Sequence, residues 1–282
     1  MPDPILFSWG PFTIRWYGVL IGLGMMLGVI LALRETRRKG LNEDHLLNMC
    51  LVALPLAIVG CRAYYVLFNW GYYSANPAKI FAIWEGGLAI HGGIIAGGLA
   101  FALMAKRYRF GIGQILDIAA PSVILGQAIG RWGNFFNQEA YGYVVDPEKI
   151  PWAMYIDGAW RHPTFLYESI WDLGVFVFLL WFRRRKGLKT GDVCLMYFIL
   201  YSAGRFWVEG LRTDSLMLFG QLRAAQVLSL ALIIASAVIL FIRHRKTTAA
   251  DSEAGTAAEE DVYKRQVRHF RLSGLWAGPG GD

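Results

Sequence analysis

Apolar residues do not alternate with polar ones along this chain. They come in seven long runs, at about 14–33, 46–68, 87–105, 114–130, 164–182, 192–210 and 222–242, parted by short polar stretches. A helical bilayer crossing needs roughly 20 predominantly apolar residues. Lipid offers no partner to an unpaired backbone group, so every run that crosses must be a helix. The pattern predicts an all-α, polytopic membrane protein with about seven transmembrane helices within residues 1–246. The runs at 114–130 and 192–210 carry polar residues and are the weakest on hydropathy.

Composition agrees. The 282 residues are 55% hydrophobic and only 17% charged, with a mean hydropathy of +0.38, whereas soluble domains are about one quarter charged. The net charge of +7 does not indicate nucleic acid, because the Lys and Arg residues sit in bursts between apolar runs. Cys50, Cys61 and Cys194 lie inside apolar runs without pairing or metal spacing and read as packing residues. Ile58-Val59-Gly60-Cys61 imitates a lipidation motif, but inside the second run it reads as coincidence.

The basic bursts assign the sides. Arg34 to Lys39, Lys106 to Arg109, Arg183 to Lys189 and Arg243 to Lys246 come directly after the first, third, fifth and seventh runs. The alternate loops are poor in Lys and Arg, so the N-terminus is expected outside and the C-terminus in the cytoplasm. Met1-Pro2-Asp3-Pro4 lacks the basic region of a cleavable signal, so the first helix is expected to stay in the protein. Residues 247–282 lose apolar periodicity and read as a disordered tail. Within it, Asp261-Val262-Tyr263-Lys264-Arg265-Gln266 looks like a translated sequencing-library adapter, so the residues after Gln266 are expected to be foreign to the natural protein. Small residues four apart (Gly18/Gly22, Gly24/Gly28, Gly93/Gly97, Gly126/Gly130) predict close helix packing.

Ionisable groups inside a bilayer are costly and mark function by default. Given that topology, Tyr17, His91, Arg131, Asn134, Glu139, Tyr167, Glu168, Asp172, Arg205 and Glu209 all fall at one level, the outer half of the membrane. Asp117 and Asp192 fall at cytoplasmic helix starts, where an acid suits the positive end of the helix dipole. Tyr201, Arg205, Glu209 and Arg212 have helical spacing and share a stripe. The stripe reads either as a self-neutralising Arg205–Glu209 pair or as a face turned to a polar ligand. His91, flanked by Gly92 and Gly93, reads as a proton-transfer residue or a hydrogen-bonding one. In the segment from Gly130 to Gly142, Arg131 offers a planar donor fork suited to phosphate, with Asn134 one turn on.

That segment, Gly130-Arg131-Trp132-Gly133-Asn134-Phe135-Phe136-Asn137-Gln138-Glu139-Ala140-Tyr141-Gly142, closely resembles the signature of the prolipoprotein diacylglyceryl transferase family. His91-Gly92-Gly93, His162-Pro163-Thr164-Phe165-Leu166-Tyr167-Glu168, the Tyr201/Arg205/Glu209 helix and Trp16-Tyr17-Gly18 resemble further family elements, in order, from about residue 5 to 243. The resemblance implies phosphatidylglycerol as donor and a lipobox cysteine thiol of a prolipoprotein signal peptide as acceptor. It implies a thioether and glycerol phosphate as products, a multi-pass place in the bacterial inner membrane, and no metal or cofactor. It puts essential roles on Tyr17, His91, Arg131, Asn134, Gly142 and Arg205.

The chemistry agrees with those side chains. A thiol near pKa 8.5 must lose its proton to attack, and His91 is the first candidate base. Glu209 or Glu139, positioned by Tyr201, is the second. Charge developing on a departing phosphate needs cationic donors, which Arg131 and Arg205 supply, with Asn134 orienting the headgroup. Asn137, Gly142, Tyr167 and Glu168 complete the expected substrate-binding set. Three rival readings stand beside this one: a transporter, for which no internal repeat is found, another transferase using an anionic lipid, and a non-catalytic lipid-binding partner.

Overall fold

The computed structural model describes residues 3–245 except 11, 157, 214 and 219–221. The expected tail at 247–282 lies outside the described residues. Among the described residues are seven long helices: α1 (Trp16–Arg38), α2 (Glu43–Phe68), α4 (Ile90–Arg107), α5 (Ile112–Asn137), α6 (Thr164–Phe182), α7 (Asp192–Glu209) and α8 (Ala224–Arg245). A short helix α3 (Trp70–Ala75) and two 3-10 turns (Pro77–Phe81, Ile83–Glu85) fill the loop after α2. Three small antiparallel hairpins, unforeseen in the sequence, pair β1 (Ile5–Trp9) with β2 (Phe12–Arg15), β3 (Met154–Ile156) with β4 (Ala159–Arg161), and β5 (Met217–Leu218) with β6 (Leu222–Arg223). These hairpins satisfy backbone groups in connections too short and too aromatic to show alternation.

Five helices, α1, α2, α5, α6 and α8, are long and apolar enough to cross a membrane. α5 is among them because it runs to Asn137, past the end that hydropathy suggested. α4 and α7 have eighteen residues each and carry His91, Lys106 and Arg107, and Asp192, Arg205 and Glu209, which lower their apolar content. Pro55 in α2 and Pro121 in α5 sit inside helices, where neighbouring helices make such breaks tolerable. Asn42 caps α2 by accepting from the N–H groups of Asp44 (2.8 Å) and His45 (3.3 Å).

The chain divides into two compact units, residues 1–233 and 234–282, and the packing described below belongs to the first. Its helices associate mainly as α1 with α5 and α2 with α4, with α6 and α7 added beside α5. Glycine makes the first two pairings possible. A Cβ on Gly24 would lie 3.2 Å from the Cα of Gly126, and one on Gly28 would lie 3.3 Å from the Ser122 carbonyl. Gly93 and Gly97 of α4 face Cys61 and Ala57 of α2. Gly18, Gly22 and Gly130 have nothing within 4 Å of a Cβ, so half of the expected small-residue pairs serve no contact.

Two polar clusters pin elements far from the glycines. Arg62 of α2, 7% exposed, donates to the carbonyls of Lys79, Ile80, Gly86 and Gly87 at 2.5–2.9 Å, and so holds the loop leading to α4. At the opposite helix ends Glu35 is buried and accepts two bonds from Arg38 (2.8 and 2.5 Å). Arg183 approaches the same carboxylate at 3.3 Å. Asp117 does not serve the start of its own helix. It accepts from the N–H groups of Gly191 (2.6 Å) and Cys194 (3.0 Å) at the start of α7, where the positive dipole end and the unpaired donors lie.

A Cβ on Gly92 would meet the Tyr64 Cβ at 2.5 Å and press on the Gly60 carbonyl, whereas one on Gly98 meets nothing. Gly92→Ala is expected to destabilise by about 1–3 kcal/mol, the usual cost of overpacking, and Gly98→Ala by almost nothing. Thermal unfolding of both variants in detergent measures the contrast.

Candidate functional site

Carboxylates inside a bilayer need cations, and α6 supplies the carboxylate around which the site is built. Glu168, 6% exposed, meets Arg131 Nε of α5 at 2.8 Å through Oε2 and Arg205 Nη1 of α7 at 2.5 Å through Oε1. The other terminal nitrogen of Arg205 reaches Glu209 Oε2 at 2.7 Å, one turn along α7. The stripe on α7 is therefore both things the spacing allowed, an intrahelical ion pair and a face turned to other helices. The four residues form a chain, Arg131–Glu168–Arg205–Glu209, across three helices. Both arginines remain about 20% exposed while the acids are almost covered, so the cationic side of the chain is the accessible side.

One turn below Glu168, Asp172 is 2% exposed, and its Oδ2 has no hydrogen-bond partner. Tyr201 stacks on Tyr197, with ring centroids 5.7 Å apart, and the Tyr197 hydroxyl donates to Gln127 Oε1 at 3.2 Å.

The arginines open onto a cavity of about 570 Å³, within the range of ligand sites. Its mouth is lined by Tyr17, Gln127, Arg131, Asn134 and Tyr201, and its depth by apolar residues of α1, α2, α4 and α5. Because α5 stays helical to Asn137, Arg131 and Asn134 share one face and both line the mouth, as the sequence suggested. Tyr17 is seated because the facing residue is Gly133, where any side chain would collide with its ring. Glu139 accepts from Asn134 Nδ2 at 3.0 Å and from Asn137 Nδ2 at 3.2 Å, which sets it one hydrogen bond from the cavity wall.

Three expected site residues stand apart. His91 is exposed, its ring stacked at 5.8 Å on Tyr64 of α2. Its neighbour Ile90 lines the cavity and His91 does not. The Tyr167 hydroxyl accepts from Trp152 Nε1 at 2.8 Å and lies 3.1 Å from His162 Nδ1, and its ring packs beside Trp207 at 6.0 Å. Gly142 brings three segments together: its N–H donates to the His162 carbonyl at 3.0 Å, and a Cβ would lie 2.7 Å from His162 Cβ and 2.9 Å from the Leu211 carbonyl. Its glycine is required by packing. Gln127 was missed, since a single amide within an apolar run gives no signal until the run's facing is known. Among the described residues no group of three His, Cys, Asp or Glu could hold a metal ion.

A helical bundle with membrane-length apolar helices and an interior chain of ion pairs defines a multi-pass membrane protein with a buried polar centre. The family model of the prolipoprotein diacylglyceryl transferases matches residues 4–242. A relative from Geobacillus kaustophilus is 51% identical over 253 residues, covering 86% of this chain and 93% of its own length. One from Bacillus velezensis is 48% identical over 265 residues, covering 90% and 97%. One from Streptococcus agalactiae is 49% identical over 252 residues, covering 87% and 98%. All three carry the name phosphatidylglycerol–prolipoprotein diacylglyceryl transferase. This chain belongs to the prolipoprotein diacylglyceryl transferase family.

Glu168→Gln keeps the shape but leaves two buried guanidinium groups sharing a neutral amide. Removing one partner of a buried pair costs about 3–5 kcal/mol, and Glu168→Gln is expected to lower the unfolding temperature in detergent more than Glu139→Gln does. Equal melting of the two variants would contradict a central role for Glu168.

Proposed function

We propose that this protein transfers the diacylglyceryl group of phosphatidylglycerol to the lipobox cysteine thiol of a prolipoprotein, forming a thioether and releasing glycerol phosphate. The observation that carries the reading is the arginine pair, Arg131 and Arg205, held at the polar mouth of an apolar cavity. A phospholipid has that same division, an anionic head above an apolar body. The names of the relatives supply the donor and the acceptor. The setting we infer is the bacterial inner membrane, with the N-terminus outside and the C-terminus in the cytoplasm, which the distribution of Lys and Arg supports.

In this reading the thiolate sulfur attacks the glyceryl carbon bonded to phosphate oxygen. An S–C bond forms, the C–O bond breaks, and its electron pair leaves on the phosphate. That oxygen gains charge in the transition state, so donors aimed at it accelerate the step. Arg131 and Arg205 take this part, and Asn134 orients the headgroup between them and Glu139. Tyr17 and Tyr201 wall the mouth, and Glu168 and Glu209 hold the guanidinium planes in position.

The thiol proton needs an acceptor, and among the three candidates we favour Glu139. Two amide donors fix it beside the cavity wall, Glu209 is committed to Arg205, and His91 faces Tyr64. Glu139→Gln is then expected to cut turnover by about two or more orders of magnitude, the usual worth of a general base, and His91→Gln by less. Thioether formation monitored by mass spectrometry with a lipobox peptide ranks the two. The reverse order would return the role to His91.

Lysine retains charge but loses the planar fork. Arg131→Lys and Arg205→Lys are each expected to lose roughly tenfold or more in turnover, with a smaller change in donor affinity. The native enzyme is expected to use phosphatidylethanolamine poorly, since its ammonium would sit beside the arginines. Full activity in either variant, or equal use of the two lipids, would refute the phosphate clamp.

A further inference from the structure

The cavity is deeper than a headgroup needs. α5 lines it from Asn134 to Ile115. From Gln127, at the mouth, down to Ile115 the helix falls about 18 Å at 1.5 Å per residue. Along that stretch the side chains reaching the cavity from α1, α2, α4 and α5 are apolar apart from the hydroxyl of Ser122. One leaflet of a bilayer is about 15 Å of hydrocarbon, half of the roughly 30 Å core. The cavity below the arginines thus has the length of one extended acyl chain. It also has a floor. Leu46 of α2 and Ile118 of α5 are 2% and 1% exposed and close on Ala32 of α1, with Cys50 and Phe101 packed against them.

We propose that Leu46 and Ile118 form a stop that sets the acyl-chain length accepted in the donor lipid. The proposal rests on the reading of a diacyl phospholipid as donor and goes beyond it in naming the side chains that select among such lipids. The hydrophobic effect cannot do the selecting, because a lipid chain passing from bilayer to cavity leaves one apolar medium for another. Fit can. A short chain leaves a void above the stop, which costs in proportion to its volume, and a long chain must crowd or fold back against buried side chains. Ile118 is the more telling half of the stop, since it lies on the same helix as Arg131 and so fixes the distance from phosphate to floor.

Two variants move the floor in opposite directions. Ile118→Ala deepens it and Cys50→Phe raises it, and neither position touches the arginines or the mouth. The full chain in nanodiscs is assayed with short-, medium- and long-chain phosphatidylglycerol and a lipobox peptide. Ile118→Ala is expected to raise the long-to-short ratio of kcat/KM by roughly fivefold, and Cys50→Phe to lower it by a similar factor, with the peptide KM unchanged in both. Unchanged ratios in folded variants would overturn the stop.

A second arm uses only the native protein. Cys50 lines the cavity and Cys61 does not, so Cys61 serves as the internal reference for alkylation by a small apolar maleimide, read by peptide mass spectrometry. Medium-chain phosphatidylglycerol should protect Cys50, and the short-chain lipid should leave it reactive. Equal protection by both, or by neither, would also overturn the stop. Length-dependent protection without any thioether product would leave the stop standing and sink the proposed reaction instead.

Discussion

Two guanidinium groups in the interior of a lipid-embedded bundle are the costliest thing this sequence encodes, and one carboxylate makes them tolerable. Glu168 contacts both, from the helix that lies beside α5 and α7. A lone ion in a medium of low dielectric costs several kcal/mol, and a pair recovers that only with good geometry and satisfied hydrogen bonds. The chain Arg131–Glu168–Arg205–Glu209 meets the condition by alternating sign across three helices. The same arrangement prepares a site, because donors already fixed in orientation need little reorganisation when charge appears nearby. Any anion entering the mouth competes with Glu168 for donors that are already aimed.

The two ends of the first unit are held by different means. At the end bearing Arg131 and Arg205, ion pairs join α5, α6 and α7. At the other end, Glu35 gathers Arg38 and Arg183, and Asp117 takes the free N–H groups at the start of α7. Between them the helices are joined by glycine contacts that leave no room for a side chain. The α1/α5 and α2/α4 pairs are each packed closely while few contacts join the two pairs, and the apolar cavity occupies the space between them.

Much of this was legible in the sequence, because helix number and placement are set by run length, which lipid enforces. Arg131 and Asn134 could be placed on one face because three residues separate them, and Arg205 and Glu209 because four do. What stayed hidden were facings and partners. Nothing in the spacing of Tyr167 and Glu168 reveals that adjacent side chains turn to opposite sides of α6, one to Trp152 and His162 and the other to the arginines. His91 looked central because of its depth, and depth does not say which way a side chain points. Gly142 looked like a place for an anion to approach a backbone N–H, but that N–H is given to His162. Asp117 looked like a local cap, and its partner helix begins more than seventy residues away.

Arg62 has a consequence for how freely this chain can vary. A guanidinium carries five N–H donors in a fixed plane, and here they are directed at four carbonyl oxygens of the loop between α2 and α4. Carbonyls belong to every residue alike, so the loop is held by its course and not by its side chains. Lys79 or Ile80 could be exchanged without loosening the hold, while a lysine at position 62, with three donors on a single nitrogen, could not span the same four oxygens. Across related sequences, the loop is expected to drift while the arginine beneath it stays.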